Sequence, residues 1–211
     1  MTYFDLVDLP TGAKLSKVVA VPREVGGRRG LWVALPADIR QTGLPNVDYI
    51  DAENIVVMPV EFSTGTLEVD IFITLAADAR PEDRGFAGLD YHIDDAIKNF
   101  ESVYLRATNG LKENPPAPRD VRAIQYFAFP NAKFQYLRDT FPGAYEAPAN
   151  IGLGEWINLR LEVTASGVKS FVNGELVLSI AESLCKATTG KVGLRVDIGS
   201  EAVFSNLRIS S

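Results

Sequence analysis

Apolar and polar residues alternate with a period of two along most of the chain. In residues 66–75, Leu67, Val69, Ile71, Ile73 and Leu75 are apolar, with Glu68, Asp70 and Thr74 between them. That spacing predicts a half-buried strand, because successive side chains of extended backbone point to opposite faces. In residues 86–93, Ala87, Leu89, Tyr91 and Ile93 take one face and Gly88, Asp90 and His92 the other. Residues 103–106 and 156–163 alternate in the same way, and shorter runs predict strands over 55–60, 121–127, 133–136, 168–172, 175–179, 191–196 and 202–209. Turn residues separate these runs, most clearly Asn173-Gly174, whose two positions suit the positive φ angles of a two-residue hairpin. Only residues 94–101 and 181–186 have room for a helical turn. The pattern predicts an all-β protein, a two-sheet antiparallel β-sandwich formed as a single domain over residues 1–211.

Composition narrows the chemistry. The 211 residues carry 21 basic and 27 acidic side chains, a net charge of −6. Clustered basic residues that could track phosphates are missing, so no nucleic-acid partner is expected. The single Cys, Cys185, excludes a disulfide framework, and its setting reads as a buried thiol near a turn. The single His, His92, excludes multi-histidine metal sites. The N-terminus lacks the basic start and apolar stretch of a secretory signal, and no apolar run approaches membrane-spanning length, so a soluble, cytoplasmic protein without a membrane partner is expected.

The C-terminal third carries an ordered set of motifs: Gly154-Glu155-Trp156, then Asn173-Gly174, then Gly190-Lys191-Val192-Gly193-Leu194, and finally Phe204-Ser205-Asn206-Leu207. It resembles the concanavalin A-like, laminin-G-like jelly roll, in which these motifs open, turn and close successive strands. The middle of the chain, with 103–106 and Ile124-Gln125-Tyr126, looks like the subset related to 3-keto-disaccharide hydrolases. The resemblance covers residues 55–210, and residues 1–54 match it poorly. It implies a fold shared by lectins, hydrolases, lyases and adhesion modules, so function must be argued from a site. It also allows a structural calcium ion, with Asp197 as first candidate ligand; no other cofactor is expected. Trp156 is expected between the sheets.

If the odd positions of 66–75 face the core, Glu68, Asp70 and Phe72 face outward, as do Asp90 with His92 and Tyr104 with Arg106. Glu68-Val69-Asp70 resembles the start of the family-16 glycoside hydrolase signature, but the third acid of that signature is replaced by apolar residues and Thr74. A retaining mechanism needs carboxyl groups about 5 Å apart. Glu68 and Asp70 stand roughly two strand rises apart, about 6.6 Å.

A carbohydrate or glycoside-like small molecule held in a concave polar face is the expected partner. As an enzyme, the protein would act by acid/base hydrolysis or elimination, with His92, Glu68 and Asp90 as catalytic groups. Asp70, Tyr104, Arg106, Gln125, Tyr126 and Arg138 would contact substrate, and Arg106 could pair with Glu68 or Asp70. Tyr136 and Tyr145 are further candidates to line the groove. A non-catalytic carbohydrate-binding or protein-interaction module of laminin-G type stays open beside this, as do catalysis itself and the oligomeric state. One closed pocket gathering His92, Glu68, Asp90 and Arg106 would favour the enzyme; a flat face would favour the module.

Overall fold

The computed structural model describes residues 1–185 and 187–211. Its strands are β1 (Thr2–Phe4), β2 (Lys14–Ser16), β3 (Val19–Val25), β4 (Arg28–Ala34), β5 (Ile55–Phe62), β6 (Gly65–Leu75), β7 (Phe86–Ile93) and β8 (Phe100–Arg106). They continue with β9 (Ile124–Phe129), β10 (Glu146–Ala147), β11 (Trp156–Val163), β12 (Val168–Val172), β13 (Glu175–Ile180), β14 (Gly190–Val196) and β15 (Ser200–Ser210). Two short α-helices, α1 (Ala37–Thr42) and α2 (Phe134–Thr140), interrupt them, with three single 3-10 turns at Ala107–Asn109, Leu111–Glu113 and Arg119–Val121.

All pairings between these strands are antiparallel and form two sheets. The first runs β13-β12-β11-β6-β15-β4-β3, with β1 also on β15; the second runs β10-β9-β8-β7-β14-β5-β2. Leu67, Val69, Ile71 and Ile73 of β6 and Ile157, Leu159 and Leu161 of β11 are fully buried against Leu89, Val103, Leu105, Ile124 and Leu194 of the second sheet. The expected two-sheet sandwich is therefore observed. The Asn173-Gly174 hairpin joins β12 to β13 with φ of 50° and 86°, the left-handed values that its sequence suits.

Several expectations are corrected. Residues 19–34 form a full hairpin, β3 with β4, paired from Val19 opposite Ala34 to Val25 opposite Arg28, although the alternation pattern predicts no strand there. The expected strand over 133–136 is the start of α2. Residues 94–99 form a turn leading into β8 rather than a helix, and the helical turn expected at 181–186 ends at Lys186, outside the described residues. Trp156 lies on the outer face of the first sheet, edge-on to Phe72 and under the guanidinium of Arg28. The Cys185 side chain is half-buried rather than enclosed.

The outer face of the second sheet is not left to solvent. Arg195 of β14 donates through Nε to both oxygens of Asp90 on β7, at 2.7 and 3.0 Å, with neither side chain more than 1% exposed. Its Nη2 donates to the carbonyl of Ala52 at 2.8 Å, which ties residues 50–54 across the sheet. Burial disfavours a charged Arg195, but the adjacent Asp90 carboxylate outweighs it and raises the guanidinium above its ordinary range. Asp197 completes the tie: its carboxylate accepts from the backbone N–H groups of Ile50, Asp51 and Ile198 at 3.1, 2.9 and 2.8 Å. Glu53 anchors the same segment outwardly by pairing with Lys17 at 3.1 Å and with Lys98.

Removing one partner of a buried pair strands the other charge, so Asp90→Ala should cost about 3–5 kcal/mol, whereas Asp90→Leu with Arg195→Met should recover most of that loss. Urea unfolding checks both; a double variant no more stable than the single one would contradict the account. A second prediction concerns acid. Burial pushes the Glu53 carboxyl up, but hydrogen bonds from Lys98 and Lys17 hold it at about 2 against an ordinary 4.5. A depressed carboxyl contributes stability above its unfolded value and loses it as pH falls toward the folded one. Melting temperature should therefore fall more steeply between about pH 4.5 and 2 for the wild type than for Glu53→Gln; parallel curves would refute it.

Candidate functional site

The segment held by Asp197 and Arg195 borders a cavity of about 360 Å³ on the outer side of the second sheet. Its floor is Tyr104 and Arg106 of β8, which alternate outward as the period-two pattern requires. Ile50, Asp51, Asp197 and Ile198 form one wall, Phe134 and Arg138 of α2 another, and residues 80–86 with 109–122 close the rest. Gly199, behind this wall, has φ of 68°, and a Cβ there would stand 2.0 Å from Oδ2 of Asp83, so the turn accepts no side chain.

Arginine dominates the lining, with Arg80, Arg84, Arg106, Arg119, Arg122 and Arg138 set against Asp51, Glu82, Asp83 and Asp197. Three of these guanidinium groups converge on one buried carboxylate: Arg106, Arg122 and Arg138 stand 3.4, 2.9 and 2.8 Å from Glu146 of β10. Arg106 also donates to the Tyr104 hydroxyl at 2.8 Å and to Oε1 of Gln125 at 3.1 Å, which fixes its position. Burial pushes the Tyr104 phenol up, so it stays a neutral hydrogen-bonding group.

The wall is strained. Ile50 has φ of 69°, rare for a β-branched residue, Asp51 follows with φ of 49°, and both N–H groups are aimed at Asp197. Burial raises the Asp51 carboxyl above its ordinary 3.8, the nearby Asp197 charge adds to the effect, and the Phe134 N–H that donates to Oδ2 at 2.8 Å opposes it. Asp197, the candidate calcium ligand, has its oxygens occupied by N–H donors, including Asn54 Nδ2 at 3.4 Å. A carboxylate surrounded by donors does not suit a cation, and among the described residues no group of three or more His, Cys, Asp or Glu side chains is placed to hold a metal.

The other candidate residues do not share this cavity. Tyr104, Arg106 and Arg138 line it, and Gln125 lies beneath Arg106. Asp90 is sealed by Arg195 beneath residues 50–54. Glu68 and Asp70 are on the far side of the molecule, on the outer face of the first sheet: Glu68 accepts from Asn158 at 3.0 Å, and Asp70 pairs with Arg28 at 2.8 Å. Arg106 therefore pairs with Glu146 rather than with either of them.

His92 is separated by a bulge. Tyr91 and His92 together face Val192 between the paired positions Asp90–Gly193 and Ile93–Lys191, and His92 has φ of 54°. The extra residue turns its ring to the rim between the sheets. There Nδ1 is 2.8 Å from Glu101 and Nε2 is 2.6 Å from the Ser63 carbonyl. The hydroxyls of Tyr91, Tyr126 and Ser183 donate to the other Glu101 oxygen at 3.3, 2.8 and 2.6 Å, beside a second cavity of about 240 Å³. Tyr126 thus belongs with His92. Tyr145 stacks on Tyr126, and Tyr136 is exposed. Sequence reasoning missed Arg80, Arg84, Arg119, Arg122, Asp51 and Glu146. For the arginines the one available signal was that arginine outnumbers lysine six to three between residues 80 and 138.

No family model matches the chain, and no curated protein matches its sequence. Solved structures of similar shape include a carbohydrate-binding module, CBM66, from Bacillus subtilis, with a TM-score of 0.57, 18% identity, and coverage of 92% of this chain and 94% of that one. A protein of unknown function with a galectin-like fold, also from Bacillus subtilis, has a TM-score of 0.57 and 11% identity, covering 98% and 93%. The Crh5 transglycosylase, solved in complex with NAG, has a TM-score of 0.58 and 10% identity, covering 100% and 83%. At these identities the likeness is one of fold alone, the two-sheet antiparallel β-sandwich described above.

Proposed function

We propose that the protein binds a saccharide in the arginine-lined cavity on the outer face of the second sheet. The observation that carries this reading is a preformed cavity of about 360 Å³ in which fixed donors and acceptors alternate with the rings of Phe86, Tyr104 and Phe134. Aromatic faces cover the apolar side of a sugar ring, while guanidinium, carboxylate and amide groups satisfy its hydroxyls. The neighbouring folds support the reading, since one is a carbohydrate-binding module and another a transglycosylase. Binding is favoured over the acid/base scheme built on His92, Glu68 and Asp90, because these three occupy separate environments.

A second reading has one observation in its favour. Asp51 lines the cavity with its carboxyl pushed toward the protonated form, as a general acid requires. If the bound saccharide is cleaved, Asp51 is the proton donor.

A glycan array followed by calorimetry tests the first reading. Phe134→Ala should weaken binding by about tenfold, roughly 1.4 kcal/mol, while Glu68→Gln on the opposite sheet should leave it within about twofold. Failure of every saccharide to bind, or equal loss in both variants, would overturn it. For the second reading, any hydrolysis found on the array ligands should fall by about 10²-fold or more in Asp51→Asn with binding retained; undiminished turnover would eliminate Asp51.

A further inference from the structure

The charge within the cavity points to a narrower ligand class, and the inference rests on the saccharide reading above. We infer that the sugar bound there carries an anionic substituent, a carboxylate or a sulfate ester, and that Arg84 and Arg119 receive it.

The six arginines of the lining are not equally committed. Arg106, Arg122 and Arg138 share Glu146, and Arg80 pairs with Asp83 at 3.2 Å while lying over the Tyr49 ring. Among the described residues, neither Arg84 nor Arg119 has a carboxylate within ion-pair distance. Arg84 spends Nη1 on the carbonyls of Pro81 and Asp83, at 2.6 and 2.9 Å. Arg119 spends Nε on Oδ1 of Asn109 and Nη2 on the carbonyl of Thr108, both at 2.8 Å. These contacts fix both groups while leaving Nε and Nη2 of Arg84 and Nη1 of Arg119 without a protein acceptor among the described residues.

Two cations with unused donors thus line the same cavity. Burial and then the Arg119 charge lower the Arg84 guanidinium below its ordinary range, although Asp83 and Glu82 pull the other way. An anion reached by both would relieve that repulsion and receive directed charge-assisted hydrogen bonds, roughly twice as strong as neutral ones. The local excess of positive charge is opposite in sign to the chain's net −6, so solubility does not account for it. The carboxylates of Asp51 and Asp197 and the rings of Tyr104 and Phe134 in the same lining suit the uncharged remainder of a sugar, which separates this ligand from a bare anion.

The test is calorimetric titration of the full chain with matched pairs of oligosaccharides: oligogalacturonate against oligogalactose, and a sulfated against an unsulfated galactan, at low and raised salt. The acidic member of a pair should bind at least about tenfold more tightly, with the difference shrinking as salt rises. Arg84→Gln and Arg119→Gln should each lower the acidic sugar's affinity more than the neutral sugar's and so bring the acid-to-neutral ratio toward one, and Arg84→Lys should retain part of the preference. A preference for uronate alone or sulfate alone identifies the substituent. Neutral and acidic sugars binding equally would overturn the inference and leave the saccharide reading standing. Inorganic sulfate binding as tightly as the acidic sugar would also overturn it, and no binding by any sugar would remove both. Should a glutamine variant fail to fold in a thermal melt, the wild-type acid-to-neutral ratio and its salt dependence decide alone.

Discussion

The buried pair between Asp90 and Arg195 is the constraint around which the second sheet is organised. Two charges on the outer face of a sheet would ordinarily be solvated; here both are at most 1% exposed, so something must cover them. The cover is the segment that Arg195 grips through the Ala52 carbonyl and Asp197 grips through two backbone N–H groups. The rings of Phe100 and Phe127 lie within about 5 Å of the guanidinium and complete its surroundings on the sheet itself. Nη1 of Arg195 stays buried without an acceptor. An unmade hydrogen bond of that kind costs about 1–3 kcal/mol, which the bidentate contact with Asp90 must offset. A covered charge pair and a cavity beside the cover are therefore one construction.

The same logic governs Glu146. One carboxylate faces three guanidinium groups and cannot neutralise them all, and it holds Arg106 of β8, Arg122 of the loop before β9 and Arg138 of α2 in one cluster. Those groups come from three elements, of which β8 and the loop before β9 are also joined by the bond from the Arg106 N–H to the Ala123 carbonyl at 2.7 Å, and the carboxylate ties the helix to both. Arg138 also lies over the Phe134 ring at 4.8 Å, which couples the aromatic wall to the charged one.

The sheet architecture was legible because its signal is local: β6, β11 and β14 each announce themselves within a dozen residues, and the alternation of β8 correctly placed Tyr104 and Arg106 outward. The site was legible only in part, for two physical reasons. Which strands become neighbours is not a local property, so Glu68 and Asp70 were assigned to a face they do not share with Asp90. A bulge adds one residue and reverses the facing of the positions beyond it, so period-two reasoning failed at His92, where the backbone enters the left-handed region with no glycine to signal it. Residues 133–136 show the weaker side of the pattern, since four alternating residues fit the opening turn of a short helix equally well. The arginines of the cavity were illegible because they are scattered over several elements, and only the fold collects them.

The strained pair Ile50 and Asp51 bears on what the cavity can do. Backbone held in sparsely populated conformations costs of order 1–3 kcal/mol per residue and persists only where its surroundings over-determine it. Here the surroundings are two N–H groups converging on one carboxylate that is itself fixed by the N–H of Ile198. That arrangement makes the wall rigid before any ligand arrives, so the ordering of side chains and loops that ordinarily opposes association is largely absent from binding. A wall that flexed to meet its ligand would gain nothing from strain. The strain held in this one is consistent with a cavity whose shape, and not its adaptability, selects what enters.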